Sequence, residues 1–466
     1  MMIQSIEFDV VSVSTQNGRM TNNNTTQTPK KTSSVRHTRA IQRDRSKRPD
    51  VAPPDEQISE RLAEIIHPAT LAQVAHFHRL GLRERVLNLP VMVALTLSMV
   101  WRQIGAVSDL AKMLRTEGLL WAEPRKVSQQ AVSERFRTFP ALLFLRVLLT
   151  VLPLMEARWQ SRRRPLPPEI AWAQEHYTEV VVHDGSTLDV LLRRVGLLRD
   201  SETNPLAGRM TALLDLCSRL PRQIWYEEDA QAHDQRFWPR ILEVLKSGSL
   251  LLFDLGYTNF GVFAQLTTAG ITFITRAKSN LAYVVERSLL KTAQVHDALV
   301  WIGKGDNRQL VRLIQVLYKG KWYRYLTNEL DAERLPVPYL VALYWQRWRI
   351  EDAYNIVKRL LGLAYFWVGS QNGVELQLWA TWLLYATLVD LTDAIAEQLN
   401  QPFAAISMEM VYRSIYYFAQ AYHRGEADDP IAYLADNATW LGVLKRKRKH
   451  RPSPLALFDL TKLPCP

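Results

Sequence analysis

Two short apolar runs in this chain each end in an aspartate that is followed closely by a glycine. They are Val180-Val181-Val182-His183-Asp184-Gly185 and Leu250-Leu251-Leu252-Phe253-Asp254-Leu255-Gly256. Continuous apolar runs of this length are typical of central strands that are covered on both faces. A residue at the carboxyl end of such a strand lies at the rim of the sheet, where open α/β sheets bind their ligands. The runs predict an α/β protein with Asp184 and Asp254 as candidate site residues, although an aspartate near a glycine also occurs as a plain turn former.

Further β-prone stretches surround these two runs. Residues 211–216 and 223–226 lie between them, and residues 271–274, 298–302, 310–316 and 321–326 follow, separated by Gly, Asn, Asp and Lys. The second group predicts a mostly β insertion that interrupts the sheet over residues 265–335.

A polar motif follows the predicted insertion. It begins Tyr344-Trp345-Gln346-Arg347-Trp348-Arg349-Ile350-Glu351 and continues to Lys358. In one straight helix, at about 100° per residue, Tyr344, Arg347, Glu351 and Lys358 share a narrow face. The apolar residues that follow Arg349 occupy the neighbouring arc, which would pack on the sheet. The motif therefore predicts a helix that holds Glu351 beside Arg347, and a plain surface ion pair between these two residues is the alternative.

The order of Asp184, Asp254, a β insertion and Tyr-x2-Arg-x3-Glu-x6-Lys resembles a known family. Over about residues 179–386 the sequence is similar to the insertion-sequence DDE transposases with the YREK signature, the insertion sequence four family. The resemblance implies a ribonuclease H-like mixed sheet flanked by helices. It also implies that Asp184, Asp254 and Glu351 form a catalytic triad that binds metal. Three carboxylates suit two Mg²⁺ ions in phosphodiester transfer, and Mn²⁺ can substitute.

The resemblance implies several DNA contacts as well. Tyr344, Arg347 and Lys358 match the signature positions that contact DNA beside the cleavage site, and Arg276 and Lys278 resemble basic residues near the DNA backbone. The family often flips a base onto an aromatic side chain in the insertion, for which Trp301 and Trp322 are the candidates. The alternative for Arg276 and Lys278 is a solvated charge pair after a strand. The alternative for each tryptophan is a buried core residue.

Charge supports a polyanionic partner. The chain has 58 Lys and Arg against 46 Asp and Glu, a formal net charge of +12 and a pI near 9.6. Such a balance favours a polyanionic partner, and the resemblance implies that this partner is double-stranded DNA. Residues 19–48 hold nine basic residues and one acid, which predicts a disordered basic arm that either attracts phosphates or only solvates the chain.

Helical periodicity characterises the next hundred residues. Residues 107–117 and 127–137 are a candidate helix-turn-helix, in which Gln129 and Arg135 would contact DNA. An ordinary amphipathic helix pair explains the same pattern. The predicted organisation is a disordered basic arm (1–54), an all-α DNA-binding domain (55–160), a catalytic core (161–264 and 336–400) around the β insertion (265–335), and a C-terminal helical region with a basic tail (401–466).

Other features narrow the class of protein. Cys217 and Cys465 form no CxxC pair, which excludes a disulfide framework or a cysteine-built zinc site. The longest apolar runs, residues 89–101 and 376–389, are shorter than the roughly 17 residues that span a bilayer. No signal peptide is recognisable, so we expect a cytoplasmic, nucleoid-associated protein without a membrane partner.

Nucleotide-binding, zinc-protease and serine-hydrolase motifs are also absent from the sequence. The resemblance implies a transposase that binds terminal inverted repeats, synapses two ends as a dimer, and cleaves and joins DNA by a cut-and-paste route through a hairpin intermediate. The alternatives are a domesticated DNA-binding protein without catalysis, against which the complete triad argues, and a DDE-type nuclease without strand transfer.

Overall fold

One nine-stranded mixed sheet organises the chain. The computed structural model describes residues 56–104, 106–188, 208–229, 232–363 and 370–446. The predicted basic arm and most of the C-terminal basic cluster, residues 445–451, lie outside these ranges. The strands are β1 (Val180–Thr187), β2 (Arg209–Asp215), β3 (Pro221–Glu227), β4 (Leu250–Phe253), β5 (Thr272–Arg276), β6 (Tyr283–Lys291), β7 (Val295–Ile302), β8 (Gln309–Tyr318) and β9 (Lys321–Thr327).

The sheet has the order β3-β2-β1-β4-β5-β9-β8-β7-β6. Strands β1, β4 and β5 are parallel to one another, and every other pair is antiparallel. Both apolar runs that opened the sequence analysis form buried central strands, as predicted. Alternate residues serve two cores: Val180 and Leu250 face one and Val181 and Leu251 the other, as the period of two in a strand requires.

The predicted insertion continues this sheet. Strand β9 pairs with β5 over three residue pairs, Ile274 with Thr327, Thr275 with Leu326 and Arg276 with Tyr325, and β8, β7 and β6 follow outward. The edge strand β6 was not predicted from the sequence. Its side chains are mostly exposed, so it lacks the buried face that makes a strand recognisable.

The described helices pack either on the sheet or on one another. They are α1 (Glu56–Leu71), α2 (Val74–Arg79), α3 (Leu89–Trp101), α4 (Val107–Thr116), α5 (Gln129–Thr138), α6 (Ala141–Ser161), α7 (Pro168–His176), α8 (Trp238–Val244), α9 (Phe260–Thr268), α10 (Val337–Gln346), α11 (Arg349–Asn355), α12 (Gln371–Gln398), α13 (Met408–His423) and α14 (Pro430–Asp436). A π-helical turn, Ile356–Leu360, extends α11. Helix α7 was missed because a proline run precedes it, although proline is well suited to the first turn of a helix.

The N-terminal helices and α12 share one core. Helix α6 packs along α12, and apolar side chains of α1, α3, α4, α5 and α6 belong to the same buried cluster as those of α12. Polar contacts add to this. Asn372 in α12 donates to the carbonyl oxygen of Phe139 at 2.7 Å and accepts from the Ala141 amide at 3.1 Å, and Arg162 contacts Asp390 and Asp393. The predicted domain boundaries remain predictions, and helices from two of the predicted domains share this core.

The prediction of one straight helix from Tyr344 to Lys358 is wrong. Helix α10 ends at Gln346 and α11 begins at Arg349. At the break, the Arg347 amide donates to the Tyr344 carbonyl and the Ile350 amide to the Arg347 carbonyl, which are the tighter i to i−3 bonds of a 3₁₀ turn. Such a turn rotates the residues after it away from the straight-helix positions.

Among the described residues, no single helix has the length and apolarity needed to cross a membrane. One bent pair, α5 and α6 at 72°, passes by length and composition alone. Helix α3 is buried almost all round, as its uninterrupted apolar sequence predicts.

Candidate active site

Three acids from three elements lie at one edge of the sheet. Asp184 is in β1, Asp254 directly follows β4, and Glu351 is in α11. Strands β1 and β4 are parallel, and His183 lies opposite Phe253. The next residue in the chain is an aspartate in both cases. The register of two neighbouring strands therefore brings together two acids that are 70 residues apart in sequence.

One guanidinium contacts all three acids. Arg347 Nη1 lies 3.3 Å from Asp184 Oδ2, and its Nη2 lies 3.6 Å from both Asp254 Oδ1 and Glu351 Oε1. The side chain of Arg347 is only 7% exposed, whereas Asp254 and Glu351 are 44% and 39% exposed. Arg347 therefore lies at the base of the acidic site, and the helix break after Gln346 positions it there.

Burial and charge act in opposite directions on these groups. Burial raises the pKa of Asp184 to about 6, although the positive charge of Arg347 opposes the shift. Burial also raises the pKa of Glu351, again against Arg347. For Arg347 itself, burial lowers the pKa, but Tyr344 and the three carboxylates outweigh it and the net shift is upward. The arginine is thus a permanent cation beside two carboxyl groups, Asp184 and Glu351, whose pKa is held above its usual range.

The donor set fits a hard divalent cation. Carboxylate oxygens are the protein ligands that Mg²⁺ prefers. In the described part of the chain, however, no three His, Cys, Asp or Glu side chains are close enough together to share one ion. Arg347 occupies the space between the three acids, so they would hold metal only after its guanidinium has moved.

Two residues that the sequence did not reveal as functional hold Asp184 in place. The Tyr354 hydroxyl donates to the Asp184 carbonyl oxygen at 2.7 Å, and the Gly185 amide donates to Asp184 Oδ1 at 2.8 Å. A methyl group on Gly185 would lie 2.8 Å from Arg209 Nη2 and from the Tyr257 hydroxyl. Tyr354 lies on the predicted sheet-facing arc, three residues after Glu351, and this spacing was the available signal for it.

The other signature residues differ from one another. Lys358 Nζ donates to Ser186 Oγ at 3.1 Å and to the Thr187 carbonyl oxygen at 2.7 Å. Both acceptors are in β1, two and three residues after Asp184. Tyr344 is 4% exposed, and its buried hydroxyl has no hydrogen-bond partner among the described residues. Burial raises the pKa of Tyr344. Lys358 is therefore close to the site surface, whereas the Tyr344 hydroxyl is beneath it.

The candidates in the insertion are partly open to solvent. Arg276, at the end of β5, lies over the Tyr323 ring at 5.6 Å, and Lys278 is exposed. Trp301 donates to Glu286 Oε2 at 2.8 Å and has Arg308 over its ring at 4.6 Å. Trp322 is 38% exposed, with its ring 4.6 Å from that of His296. Both tryptophans are therefore outside the fully buried core.

The predicted helix pair is present as α4 and α5. Gln129 is exposed at the start of α5, where the Ser128 side chain caps the helix. Arg135 instead donates to the Leu87 carbonyl oxygen at 3.0 Å and lies over the Phe139 ring. Within this pair, Gln129 is thus the more available to a partner.

His183 lies on the opposite side of β1 from Asp184, as strand alternation predicts. It is fully buried, with Nδ1 3.3 Å from the Ala212 carbonyl oxygen, and burial lowers its pKa to about 3. It is a neutral core residue.

Comparisons with known proteins agree with this class of site. Residues 205–387 match the family model described as "Transposase DDE domain". The matched range includes Asp254 and Glu351, whereas Asp184 precedes it.

Two individual proteins are similar to the chain. The first is "Putative transposase y4zB" of Sinorhizobium fredii (strain NBRC 101917 / NGR234), which is 33% identical over 184 residues, 37% of this chain and 49% of that protein. The match spans about half the length of this curated relative. The second, a solved structure entitled "Cryo-EM structure of piggyBac transposase synaptic complex with hairpin DNA (SNHP)", is 11% identical with a TM-score of 0.36, over 88% of this chain and 89% of that one.

Proposed function

We propose that the chain is a DNA transposase of the insertion sequence four family with the YREK signature, which cleaves and joins DNA at a metal-dependent DDE site. The core is a ribonuclease H-like sheet. The strand order β3-β2-β1-β4-β5 supports this fold. In it, β1, β4 and β5 are parallel to one another, and β2 is antiparallel to them. The matched DDE transposase domain supports the activity.

One observation carries the proposal. Asp184 and Asp254 come from two adjacent parallel strands, and Glu351 comes from a helix that follows five further strands, β5 to β9. All three acids nevertheless lie within 3.6 Å of one guanidinium. A structural ion pair needs one acid for one arginine. Three carboxylates around a single cation leave an excess of negative charge at a sheet edge, which is an arrangement suited to holding divalent cations.

The side chains have separable roles. The carboxylates of Asp184, Asp254 and Glu351 hold Mg²⁺ or Mn²⁺. When bound, such ions activate the attacking oxygen and neutralise the leaving oxygen of a phosphodiester. Tyr354 and Gly185 hold the backbone and carboxylate of Asp184 in place. These residues orient the site before any substrate arrives.

The basic residues of the site serve the DNA strand. Arg347, once displaced from the carboxylates, offers a fork of donors to a phosphate, and Lys358 offers a point charge. Arg276 and Lys278 extend this surface towards the backbone, and Trp301 or Trp322 stacks on a flipped base. Tyr344 requires a side-chain movement before its buried hydroxyl can reach a phosphate.

The partners follow from the reaction. The protein binds the terminal inverted repeats through α4 and α5, with Gln129 and Arg135 as candidate contacts, and acts on target DNA in the cytoplasm. It brings two ends together as a dimer and moves the element by a cut-and-paste route through a hairpin intermediate. The net charge of +12 supports association with DNA.

The test is cleavage of labelled DNA that carries the element's own ends, with Mg²⁺ or with EDTA. Asp184→Asn, Asp254→Asn and Glu351→Gln are expected to abolish cutting while end binding persists. Asp352→Asn is the matched control, because its exposed carboxylate lies next to Glu351 in sequence and pairs with Arg349 instead.

The same assay separates the alternatives. Joined products in the wild type distinguish a transposase from a nuclease. Tight end binding without cutting by the wild type would favour a non-catalytic DNA-binding protein. Loss of end binding in all three triad variants would count against the catalytic assignment.

A further inference from the structure

Three cations from distant parts of the sequence meet on the side of α11 away from the triad. Arg219 is in the turn between β2 and β3, Arg349 is the first residue of α11, and Lys445 follows α14 near the end of the described chain. Arg349 and Glu351 are two positions apart, about 200° around a helix, so they point to opposite sides of α11.

Short contacts hold these cations around one small cleft. The Arg219 guanidinium lies 4.3 Å from the centre of the Phe403 ring, and Lys445 Nζ donates to the adjacent Ala404 carbonyl oxygen at 3.0 Å. Arg349 Nε donates to Gln346 Oε1 at 2.8 Å. Arg219, Gln346, Phe403 and Ala404 line the cleft, together with Arg164. Arg219 is therefore part of its wall, and Arg349 and Lys445 each contact a residue that is.

The negative charge nearby is too small to balance them. Within the described ranges, neither Arg219 nor Lys445 forms an ion pair with a carboxylate. Arg349 contacts Asp352 at 3.4 Å, but Asp352 is 64% exposed and that pair is weak. The buried Asp393 is already engaged by Arg162 and Arg164. The buried Glu169 accepts a hydrogen bond from the cleft residue Gln346. Against Asp352 and Glu169, the three cations leave a small excess of positive charge.

The pKa values of two of these cations are lowered, first by burial and then by the charge of their neighbours. Burial, and after it the charges of Arg219 and Arg349, lower the pKa of the Lys445 ammonium to about 8. Burial and the charge of Arg349 lower the pKa of Arg219 to about 9. Cations that are brought together against their mutual repulsion are relieved by an anion between them.

We propose that Arg219, Arg349 and Lys445 form a second phosphate-binding site, which holds the DNA backbone several nucleotides from the scissile phosphate. Two guanidinium forks and one ammonium group match the oxygens of a phosphodiester. Asp215, at the start of the turn that carries Arg219, pairs with Val181 in β1, three residues before Asp184. At about 3.3 Å per residue, this turn begins roughly 10 Å from the triad along the sheet, within the width of one duplex.

The choice of DNA as the ligand rests on the proposed function, whereas the affinity for phosphate rests on the cluster itself. The test uses fluorescence anisotropy of a labelled duplex of about 30 base pairs without element ends, over a range of salt concentrations. The test variant combines Arg219→Asn with Lys445→Gln. Asparagine suits position 219 because the residue there has φ of 64°, a conformation that asparagine tolerates.

The matched control combines Arg334→Asn with Arg424→Gln. It removes the same total charge from exposed arginines that pair with Glu329 and Glu426. Each lost phosphate contact lowers the salt slope by about 0.9, and both substituted cations serve the same phosphate, so the test variant should lose about 0.9. Its affinity at 0.1 M salt should fall about 8-fold, and the control should stay near the wild type.

Three results would overturn the proposal. One is an unchanged salt slope in the test variant, and another is an equal loss in the control. If either occurs while the wild type still cuts element ends, the second phosphate site is wrong and the proposed function stands. The third is a wild type that binds no DNA, which overturns both.

Folding is checked separately. If Arg219→Asn lowers the melting temperature sharply, Arg349→Gln with Lys445→Gln repeats the test without changing the turn. In a second measurement, inorganic phosphate should raise the melting temperature of the wild type more than chloride at equal ionic strength. The same difference in the test variant would contradict a phosphate site at this cluster.

Discussion

Replacing Arg347 with methionine should make the protein less stable without metal and tighter in binding metal. The substitution keeps an unbranched side chain of similar length and removes the charge that lies 3.3–3.6 Å from three carboxylates. Without that charge the carboxylates repel one another. A divalent cation would then enter the site without having to displace a guanidinium.

The magnitude follows from distance and exposure. At these separations and an effective dielectric constant of about 20, a pair of unit charges attracts by about 5 kcal/mol before desolvation. Asp254 and Glu351 are more than a third exposed, so water reduces their share to a few tenths of a kcal/mol each. Asp184, at 19% exposure, keeps the largest share. After its desolvation is subtracted, we expect a total of about 3 kcal/mol, less than the full cost of breaking a buried pair.

Two assays measure this change. In EDTA, the melting temperature of Arg347→Met should fall by about 4 °C for a chain of this size. Calorimetric titration should show Mg²⁺ or Mn²⁺ binding about 100-fold more tightly than in the wild type, because about 3 kcal/mol corresponds to roughly two factors of ten. Arg359→Met removes an exposed arginine from the adjoining π-helical turn and is the control. Equal metal affinity in Arg347→Met and wild type would refute the reasoning, even if the melting temperature fell.

Three further predictions concern the scaffold and its titration. Gly185→Ala should destabilise the protein by about 1–3 kcal/mol in urea unfolding, because the added methyl meets polar side-chain atoms at 2.8 Å; an unchanged midpoint would show that this contact relaxes freely. Arg312→Leu should cost about 3–5 kcal/mol because Asp297, 2% exposed and 2.6 Å from Arg312, is left without its partner, whereas the double change with Asp297→Leu should cost less; equal costs would contradict this. Asp184 has a pKa of about 6, above the unfolded value of about 3.9, so metal-free wild type should gain stability as pH falls from 7 to 5 relative to Asp184→Asn, while Mg²⁺ affinity falls over the same range. Parallel stability profiles for the two proteins would refute that assignment.

Local patterns in the sequence account for part of the site. The positions of β1 and β4 follow from two short apolar runs, and their aspartates meet because parallel strands end at one edge. Three strands of the insertion, β7, β8 and β9, follow from β-prone stretches, whereas the mixed sheet was an implication of the family resemblance. The edge strand β6 does not, since both of its faces are exposed.

The contacts of Arg347 required the tertiary structure. Straight-helix geometry predicts its neighbour Glu351 but gives no information about Asp184, which is 163 residues away in sequence. The break after Gln346 contains no proline or glycine, so no local signal announces it. At this break the buried guanidinium reaches three acids at once. The same limitation hid Tyr354, whose partner is a backbone carbonyl in β1.

The contacts of Asn372 join the N-terminal helices α5 and α6 to α12. This residue of α12 holds the carbonyl oxygen of Phe139 and the amide of Ala141, at the corner between α5 and α6. Helix α5 is therefore tied to α12, which in turn packs against strand β3 of the sheet. If α5 contacts a specific DNA sequence, the protein then fixes the distance between that sequence and the bond that is cut. Natural ends of such an element would keep a constant number of base pairs in that interval, even where the base pairs themselves vary.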